Sequence, residues 1–218
     1  MVICLLFLNL PAPAIIRAQS EGASESRQEE FRFQGDSTTI RVQEDKRRTI
    51  LSGNARIDTG SLTITADTIE LYGPDFRYLD CSGDVMVDDR EKELTIETKE
   101  LFYDRKEDYS RIRGYTELLD RKNELSARCY YLEQEGSSGQ VLLQVAVKID
   151  TVSDGEAVVC HSQLANYNRN EKELELLGAP LVDWKGDEYR ADRIVINTKT
   201  DTIRMSGSVS GSLKEESE

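Results

Sequence analysis

The sequence predicts an all-β protein, an elongated stack of antiparallel hairpins of about thirty residues each, on three observations. First, one phrase recurs: an apolar residue, Gly two positions on, then a small or β-branched residue. It reads Leu51-Ser52-Gly53-Asn54-Ala55, Cys81-Ser82-Gly83-Asp84-Val85, Ile112-Arg113-Gly114-Tyr115-Thr116, Leu176-Leu177-Gly178-Ala179-Pro180 and Met205-Ser206-Gly207-Ser208-Val209. A degenerate copy, Leu143-Gln144-Val145-Ala146-Val147, fills the one gap, so successive anchors lie 30, 31, 31, 33 and 29 residues apart. A fixed period means one supersecondary unit stacked on itself, an architecture that builds extended surfaces or grooves more often than catalytic sites. Second, hydrophobicity alternates with period two around each anchor. Third, that alternation slips once per repeat.

The alternation defines the strands. From Phe31 onward, Leu51, Gly53, Ala55 and Ile57 interleave with Ser52, Asn54, Arg56 and Asp58, and after Thr59-Gly60, Leu62, Ile64 and Ala66 interleave with Thr63, Thr65 and Asp67. Such strands have one dry and one wet face. Asp58-Thr59-Gly60-Ser61 is a hairpin turn signal. A two-residue turn there pairs Ile57 with Leu62, Ala55 with Ile64 and Gly53 with Ala66. The same 13-residue separation links Gly114 to Ala127 and Gly178 to Ala191, so a Gly–Ala pair should make one tight level of the stack. The slip is a step of three between inward residues: Ala66 to Ile69, Thr98 to Leu101, Ala127 to Tyr130, His161 to Leu164 and Ala191 to Ile194. An extra residue at a constant place bends a strand through a β-bulge.

Bent strands in register make a folded, two-walled trough with an apolar interior. Eleven or twelve strands at about 4.8 Å give a stack of about 50 Å. Its edges, around Thr38 to Val42 and Thr202 to Leu213, are free to pair with another chain. Spacing alone leaves two readings of the inward columns: the core of a closed sandwich, or the lining of a wider channel.

The chain ends differ in composition. Val2 to Leu10 is apolar, Pro11 and Pro13 interrupt the run, and Arg17-Ala18 precedes a polar stretch, so residues 1–18 read as a secretory signal cleaved after Ala18. A retained anchor competes with that reading, although the run is shorter than the roughly 20 residues that span a bilayer. Residues 19–30, rich in Ser, Glu and Gln, read as a solvated linker, and 214–218 as a disordered tail, leaving 31–213 as one domain. A net charge of −13 excludes a basic nucleic-acid footprint.

No catalytic set is visible, and no cofactor or metal is expected. His161, the one histidine, falls in a column otherwise held by Ala66, Thr98, Ala127 and Ala191, with no nucleophile beside it. Asp88-Asp89, Asp104 to Asp108 and Asp120 lie at expected turns and follow no calcium-loop motif. The charge runs Glu44 to Arg48 and Asp88 to Glu93 read as solvated tips, and Trp184 as a turn-capping aromatic. Cys81 occupies an apolar repeat position, while an oxidising compartment leaves a Cys129–Cys160 bridge open.

Gly53-Asn54-Ala55-Arg56-Ile57 followed by Leu62-Thr63-Ile64-Thr65-Ala66-Asp67-Thr68-Ile69-Glu70-Leu71 resembles the signature of the OstA-like family, which includes bridge proteins of lipopolysaccharide export. The copy Tyr189-Arg190-Ala191-Asp192-Arg193-Ile194-Val195-Ile196-Asn197, continued by Asp201 to Val209, is equally close. The likeness covers about residues 31–213. The middle departs from it: Val145 stands for Gly, and Ala-Asp becomes Thr98-Lys99, Ala127-Arg128 and His161-Ser162.

The resemblance implies a periplasmic, twisted, half-closed β-jellyroll that shelters lipopolysaccharide acyl chains and has no enzymatic role. The lipid-lining residues would be the inward columns: Leu51, Ile57, Leu62, Ile64, Ile69, Leu71, Val85, Val87, Leu94, Ile96, Leu101, Ile112, Leu118, Leu125, Val147, Val159, Leu164, Leu176, Ile194 and Ile196. The acidic surface suits an anionic headgroup poorly, so binding should rest on the chains, with the headgroup in water. Implied partners are lipopolysaccharide or a related glycolipid and proteins of the same fold at the inner and outer membranes, joined end to end by terminal strands. A head-to-tail homo-oligomer follows the same logic. A membrane-anchored member of the export system, a structural β-repeat protein with a closed core, and a carbohydrate-active β-solenoid are the competing readings.

Overall fold

The computed structural model describes residues 31–43 and 46–214. The expected signal, the linker, most of the tail and the Glu44-Asp45 part of one charge run lie outside the described residues.

Among the described residues sixteen strands form one antiparallel sheet that does not close. They are β1 (Arg32–Gln34), β2 (Ser37–Gln43), β3 (Lys46–Asp58), β4 (Leu62–Tyr72), β5 (Tyr78–Asp89), β6 (Leu94–Asp104), β7 (Tyr109–Asp120), β8 (Leu125–Glu135), β9 (Gln140–Ser153), β10 (Glu156–Asn168), β11 (Glu173–Leu177), β12 (Leu181–Trp184), β13 (Asp187–Arg190), β14 (Arg193–Asn197), β15 (Thr202–Ser206) and β16 (Ser210–Ser212). One 3-10 turn, Pro74–Phe76, interrupts them. From β3 to β11 each strand pairs with the next in sequence. Four pairs (β1/β2, β11/β12, β13/β14, β15/β16) are halves of one strand broken at its bend, so the sheet holds twelve bent rods.

The bend forms at the Gly phrase. The β3–β4 register jumps from Ser52↔Thr68 to Ala55↔Ala66, leaving the extra residue in the Gly-bearing strand. The same jump recurs in β5, β7 and β9 against their neighbours. Gly53 and Asn54 have φ of 72° and 46°, a left-handed pair that Val145 and Ala146 reproduce at 67° and 52° without glycine. The degenerate copy therefore keeps the bend, but through residues for which that conformation is strained.

Bends in register make a crease that divides the sheet into two walls facing each other. The first wall ends in the tips at 59–62, 90–93, 121–124, 154–155 and 185–186. The second ends in the tips at 73–77, 105–108, 136–139, 169–172 and 198–201. Small side chains face each other along the crease: Ala55 opposite Ala66, Val85 opposite Thr98, Thr116 opposite Cys129, and Val147 opposite Ser162.

That arrangement corrects the expected Gly–Ala pairing. The first hairpin turns through four residues, with Asp58 opposite Thr63 and Ile57 opposite Ile64, so the register moves by two. A shift of two keeps every side chain on its face but replaces Gly53 by Ala55 as the partner of Ala66. Four-residue tips are the rule here, because an Asp or Asn at the strand end accepts the turn's backbone N–H groups: Asp89 from Lys92, Asp104 from Lys106, Asn168 from Asn170, and Asn197 from Lys199. The last loop residue is then left-handed at Glu93, Asp108, Glu124, Gly139, Lys172 and Asp201.

The slip falls where expected at Ala66–Ile69, Thr98–Leu101 and Ala191–Ile194, with those residues buried and the intervening ones outside. Two middle strands differ. In β8 the step runs from Cys129 to Leu132, and in β10 from Ser162 to Ala165. Tyr130 and His161 are exposed, and Val159 and Leu164 are half-buried on the outer face. The Ala-Asp phrase was matched there to Ala127-Arg128 and His161-Ser162, whereas Cys129 and Ser162 fill the small-residue position of the crease.

Candidate functional site

Between the walls lies one continuous apolar cluster. Leu51, Ile57, Ile64, Ile69, Leu71, Val85, Val87, Leu94, Ile96, Leu101, Ile112, Leu118, Leu125, Val147, Leu176, Ile194 and Ile196 are all buried in it, with Leu62 packed at its margin. Sequence reasoning missed Val158, Cys160, Ala165 and Tyr167, the true inward residues of β10, because of the phase error above. Trp184 packs against this cluster rather than only capping its turn.

The inward side chains are packed against one another. A cavity touching both walls, lined by Ile64, Val87 and Ile96 on one side and Leu101, Tyr103 and Gln134 on the other, measures about 20 Å³. That is room for about one water molecule.

Opposite the crease, the tips of the two walls meet along a mouth, and polar side chains hold it shut. At its centre Asp120, fully buried, accepts from Arg169 Nε at 2.7 Å and Nη2 at 3.0 Å, from Tyr167 Oη at 3.0 Å and from Asn123 Nδ2 at 2.8 Å. Arg169 Nη2 also donates to the Lys92 carbonyl at 2.9 Å. Closer to the N-terminal end, Lys92 Nζ bridges Asp108 at 2.7 Å and Asp89 at 3.2 Å, while Tyr103 Oη donates to Asp108 at 3.0 Å. Beyond it the Arg105 guanidinium lies 4.1 Å from the centre of the Phe31 ring. Towards the other end Asp201 accepts from Ser153 Oγ at 3.1 Å and from the Asp154 backbone at 2.8 Å.

These clasps fix protonation states. Burial pushes the Asp120 carboxyl up, but hydrogen bonds from Arg169, Asn123 and Tyr167 outweigh it and hold it below the usual carboxylate range. Burial likewise opposes the charge on Lys92, and Asp108 and Asp89 more than restore it. The spacing puts Asp89 in a solvated tip and Asp108 and Asp120 at turns. The missed signal was parity: Asp89 follows Val87 and Asp120 follows Leu118 on the inward face of their strands.

Two clefts flank the central clasp. One of about 380 Å³ is lined by Thr59, Asp89, Glu91, Lys92, Arg105 and Asp108 among others. The other, about 390 Å³, lies between Glu91, Lys92, Lys122, Asn123, Arg169, Asn170 and Lys172. Cys81, Cys129 and Cys160 are free and buried, and burial raises their thiols to about 12, 11 and 12. The open Cys129–Cys160 bridge is absent because β9 runs between the strands that carry them. Among the described residues no group of three His, Cys, Asp or Glu is placed to hold a metal ion, and no helix is long and apolar enough to cross a membrane.

No curated protein sequence matches the chain. Among solved structures, LptH, the LptA-homologous periplasmic component of the lipopolysaccharide transport device of Pseudomonas aeruginosa, aligns over 87% of this chain and 98% of its own at 10% identity. Its TM-score of 0.27 is too low to bear on the fold. A family model described as LptA/(LptD N-terminal domain) LPS transport protein matches residues 34–202, most of the two-walled sheet. The chain belongs to this LptA/LptD N-terminal domain family of LPS transport proteins.

Proposed function

We propose that this chain carries lipopolysaccharide across the periplasm, holding its acyl chains between the two walls and passing them along the stack. One observation carries the reading: a continuous apolar interior is joined along one side by twelve bent strands and along the other only by side-chain clasps. An acyl chain crossing water exposes hydrocarbon at about 0.8 kcal/mol per methylene. A uniformly apolar path keeps that quantity nearly constant, so a lipid can move without chemistry in this protein, its direction set by an energy-consuming partner.

The packed interior adds a condition. A cavity of about 20 Å³ admits no acyl chain, so loading requires the walls to part. The mouth suits that motion, because its carboxylates, ammonium and guanidinium are solvated by water when exposed, whereas the crease would expose hydrocarbon.

Bridging between membranes rests on the free edges. Among the described residues β2 pairs only with β3, β15 only with β14, and β16 only with β13, so unpaired backbone faces outward at both ends of the described stack. Ile40 and Val42 on β2 are more than half exposed, on the strand face that continues the interior columns. A second protein of the same fold would extend the sheet and the apolar path together.

Photocrosslinking in cells tests the reading. Probes at Ile64, Val85 and Leu101 should capture lipid, while outward probes at Glu97 and Arg128 should not. Thr63 is unsuitable as an outward control, since Arg56 and Arg90 cover it. The tight interior also favours a second reading, a structural β-repeat protein with a permanently dry core. Equal labelling at both probe sets, together with purified protein free of lipid by native mass spectrometry, would establish that second reading instead.

A further inference from the structure

We propose that the cleft of about 390 Å³ at the centre of the mouth binds phosphate esters, receiving the phosphorylated headgroup of a lipid whose chains lie between the walls. The proposal deepens the transport reading and rests on it for the source of the phosphate, though not for the site.

The charge distribution is the first argument. The chain holds 41 acidic and 28 basic residues, so an average patch of its surface is acidic. This cleft is lined by Lys92, Lys122, Arg169 and Lys172 with Glu91; Asp89, Asp108 and Asp120 stand behind Lys92 and Arg169, so its free positive charge rests on Lys122 and Lys172. Its neighbour along the mouth, nearly equal in volume, sets Lys92 and Arg105 against Asp89, Glu91 and Asp108 and offers an anion no net attraction. The two clefts differ in their unpaired cations: this one has Lys122 and Lys172, and its neighbour has Arg105, whose guanidinium is engaged by the Asp75 and Phe76 carbonyls.

Pairing is the second argument. Arg169 and Lys92 are held by the carboxylates of the clasps, which orders their side chains. Among the described residues Lys122 and Lys172 have no carboxylate within 4.0 Å, so two cations remain available to a ligand beside two that are fixed. Position is the third. Tips of both walls line the cleft, and Lys92 and Arg169 belong both to it and to the clasps that seal the interior. A lipid with its chains between the walls would present its headgroup there. The acidic surface as a whole thus misleads about the headgroup, because Lys122 and Lys172 stand unpaired at the mouth.

Calorimetric titration of the full chain tests the proposal with three probes: a diphosphorylated glucosamine-disaccharide lipid in neutral detergent micelles, the same lipid dephosphorylated, and inorganic pyrophosphate. Lys122→Gln with Lys172→Gln removes only the unpaired cations, and Lys106→Gln with Lys199→Gln removes two exposed tip lysines elsewhere. The cleft variant should weaken binding of the phosphorylated lipid by at least about ten-fold, leave the dephosphorylated lipid unchanged, and melt like wild type. The control variant should stay within about two-fold of wild type. Equal losses in the two variants, or equal losses for the two lipids, would overturn the proposal. Loss of pyrophosphate binding alone would assign the cleft to a free anion and overturn its headgroup role. Crosslinking at Ile64 and Leu101 separates the two claims. Lipid capture with no phosphate preference removes only the cleft, and phosphate preference with no capture removes only the transport reading.

Discussion

The crease and the mouth are the two long margins of one interior, built from opposite materials. Along the crease Ala55, Ala66, Val85, Thr116 and Cys129 are small and buried, the chain runs through every bend, and left-handed residues set the angle. Along the mouth no described segment crosses, and contact is made by Asp120 with Arg169, by Lys92 with Asp108 and by Asp201 with Ser153. A buried ion pair stabilises a fold no better than well-packed apolar groups of the same volume, so its presence at one margin calls for another reason. Opening supplies it. A polar seam re-solvates when parted, and a crease of small residues does not part.

The largest expected effect lies at the central clasp. Asp120→Ala leaves Arg169 charged without its carboxylate and should lower unfolding free energy by roughly 3–5 kcal/mol. Replacing both partners, Asp120→Leu with Arg169→Met, should recover most of that loss in urea denaturation. A double variant as unstable as the single one would mean that the pair is indispensable packing rather than a separable latch.

At the crease the comparison rests on backbone geometry. Gly83 has φ of 101°, and a Cβ there would collide with the Asp67 carboxylate, so Gly83→Ala should destabilise by about 1–3 kcal/mol. Gly114, with φ of 97° and open space around its Cβ site, should lose less on the same change. Equal losses at the two glycines would make backbone strain alone responsible.

Acid should act on the mouth before the crease. The folded Asp120 carboxyl lies below its ordinary value of 3.8, so its contribution is complete at neutral pH and is lost as pH falls through the lower folded value. Asp104, held down by its hydrogen bonds from Arg77, and Glu175, held by Asn166 and Arg193, contribute with the same sign. Unfolding midpoints measured from pH 7 down to pH 3 should therefore drop more steeply for wild type than for Asp120→Asn. Parallel slopes would remove Asp120 from the acid response.

The smallest effect belongs to the tips. Glu124 has φ of 52°, and Glu124→Gly should raise stability by up to about 1 kcal/mol by relieving a left-handed side chain. A loss on this change would show that the Glu124 side chain supports the turn.

What could be read from the sequence, and what could not, follows the same division. The alternation around Ile57, Ile64 and Leu101 places the walls, and the step of three at Ala66–Ile69 and its repeats places the bend, although the extra residue lies opposite it, in the Gly-bearing strand. The β10 phase was lost because Cys160 and Ser162 are small residues of ambiguous polarity, and His161 beside them resembles a variant of either column. The first turn was misjudged because Thr59-Gly60 looks like a two-residue tip, while the Asp58 side chain caps a longer one. The clasps were missed for a further reason. Asp120 and Arg169 stand 49 residues apart, in repeats that touch only when the sheet folds over, and no local spacing records that contact.

Tethering the mouth tests the central claim most directly. Lys92→Cys and Asp108→Cys, joined by a short bis-maleimide in a Cys4→Ser background, fix the two tips together, while the native thiols at Cys81, Cys129 and Cys160 are buried and out of reach. With a photocrosslinker at Leu101, the untethered protein should capture lipid and the tethered protein should capture almost none. Equal capture in both would contradict an interior that fills through its mouth.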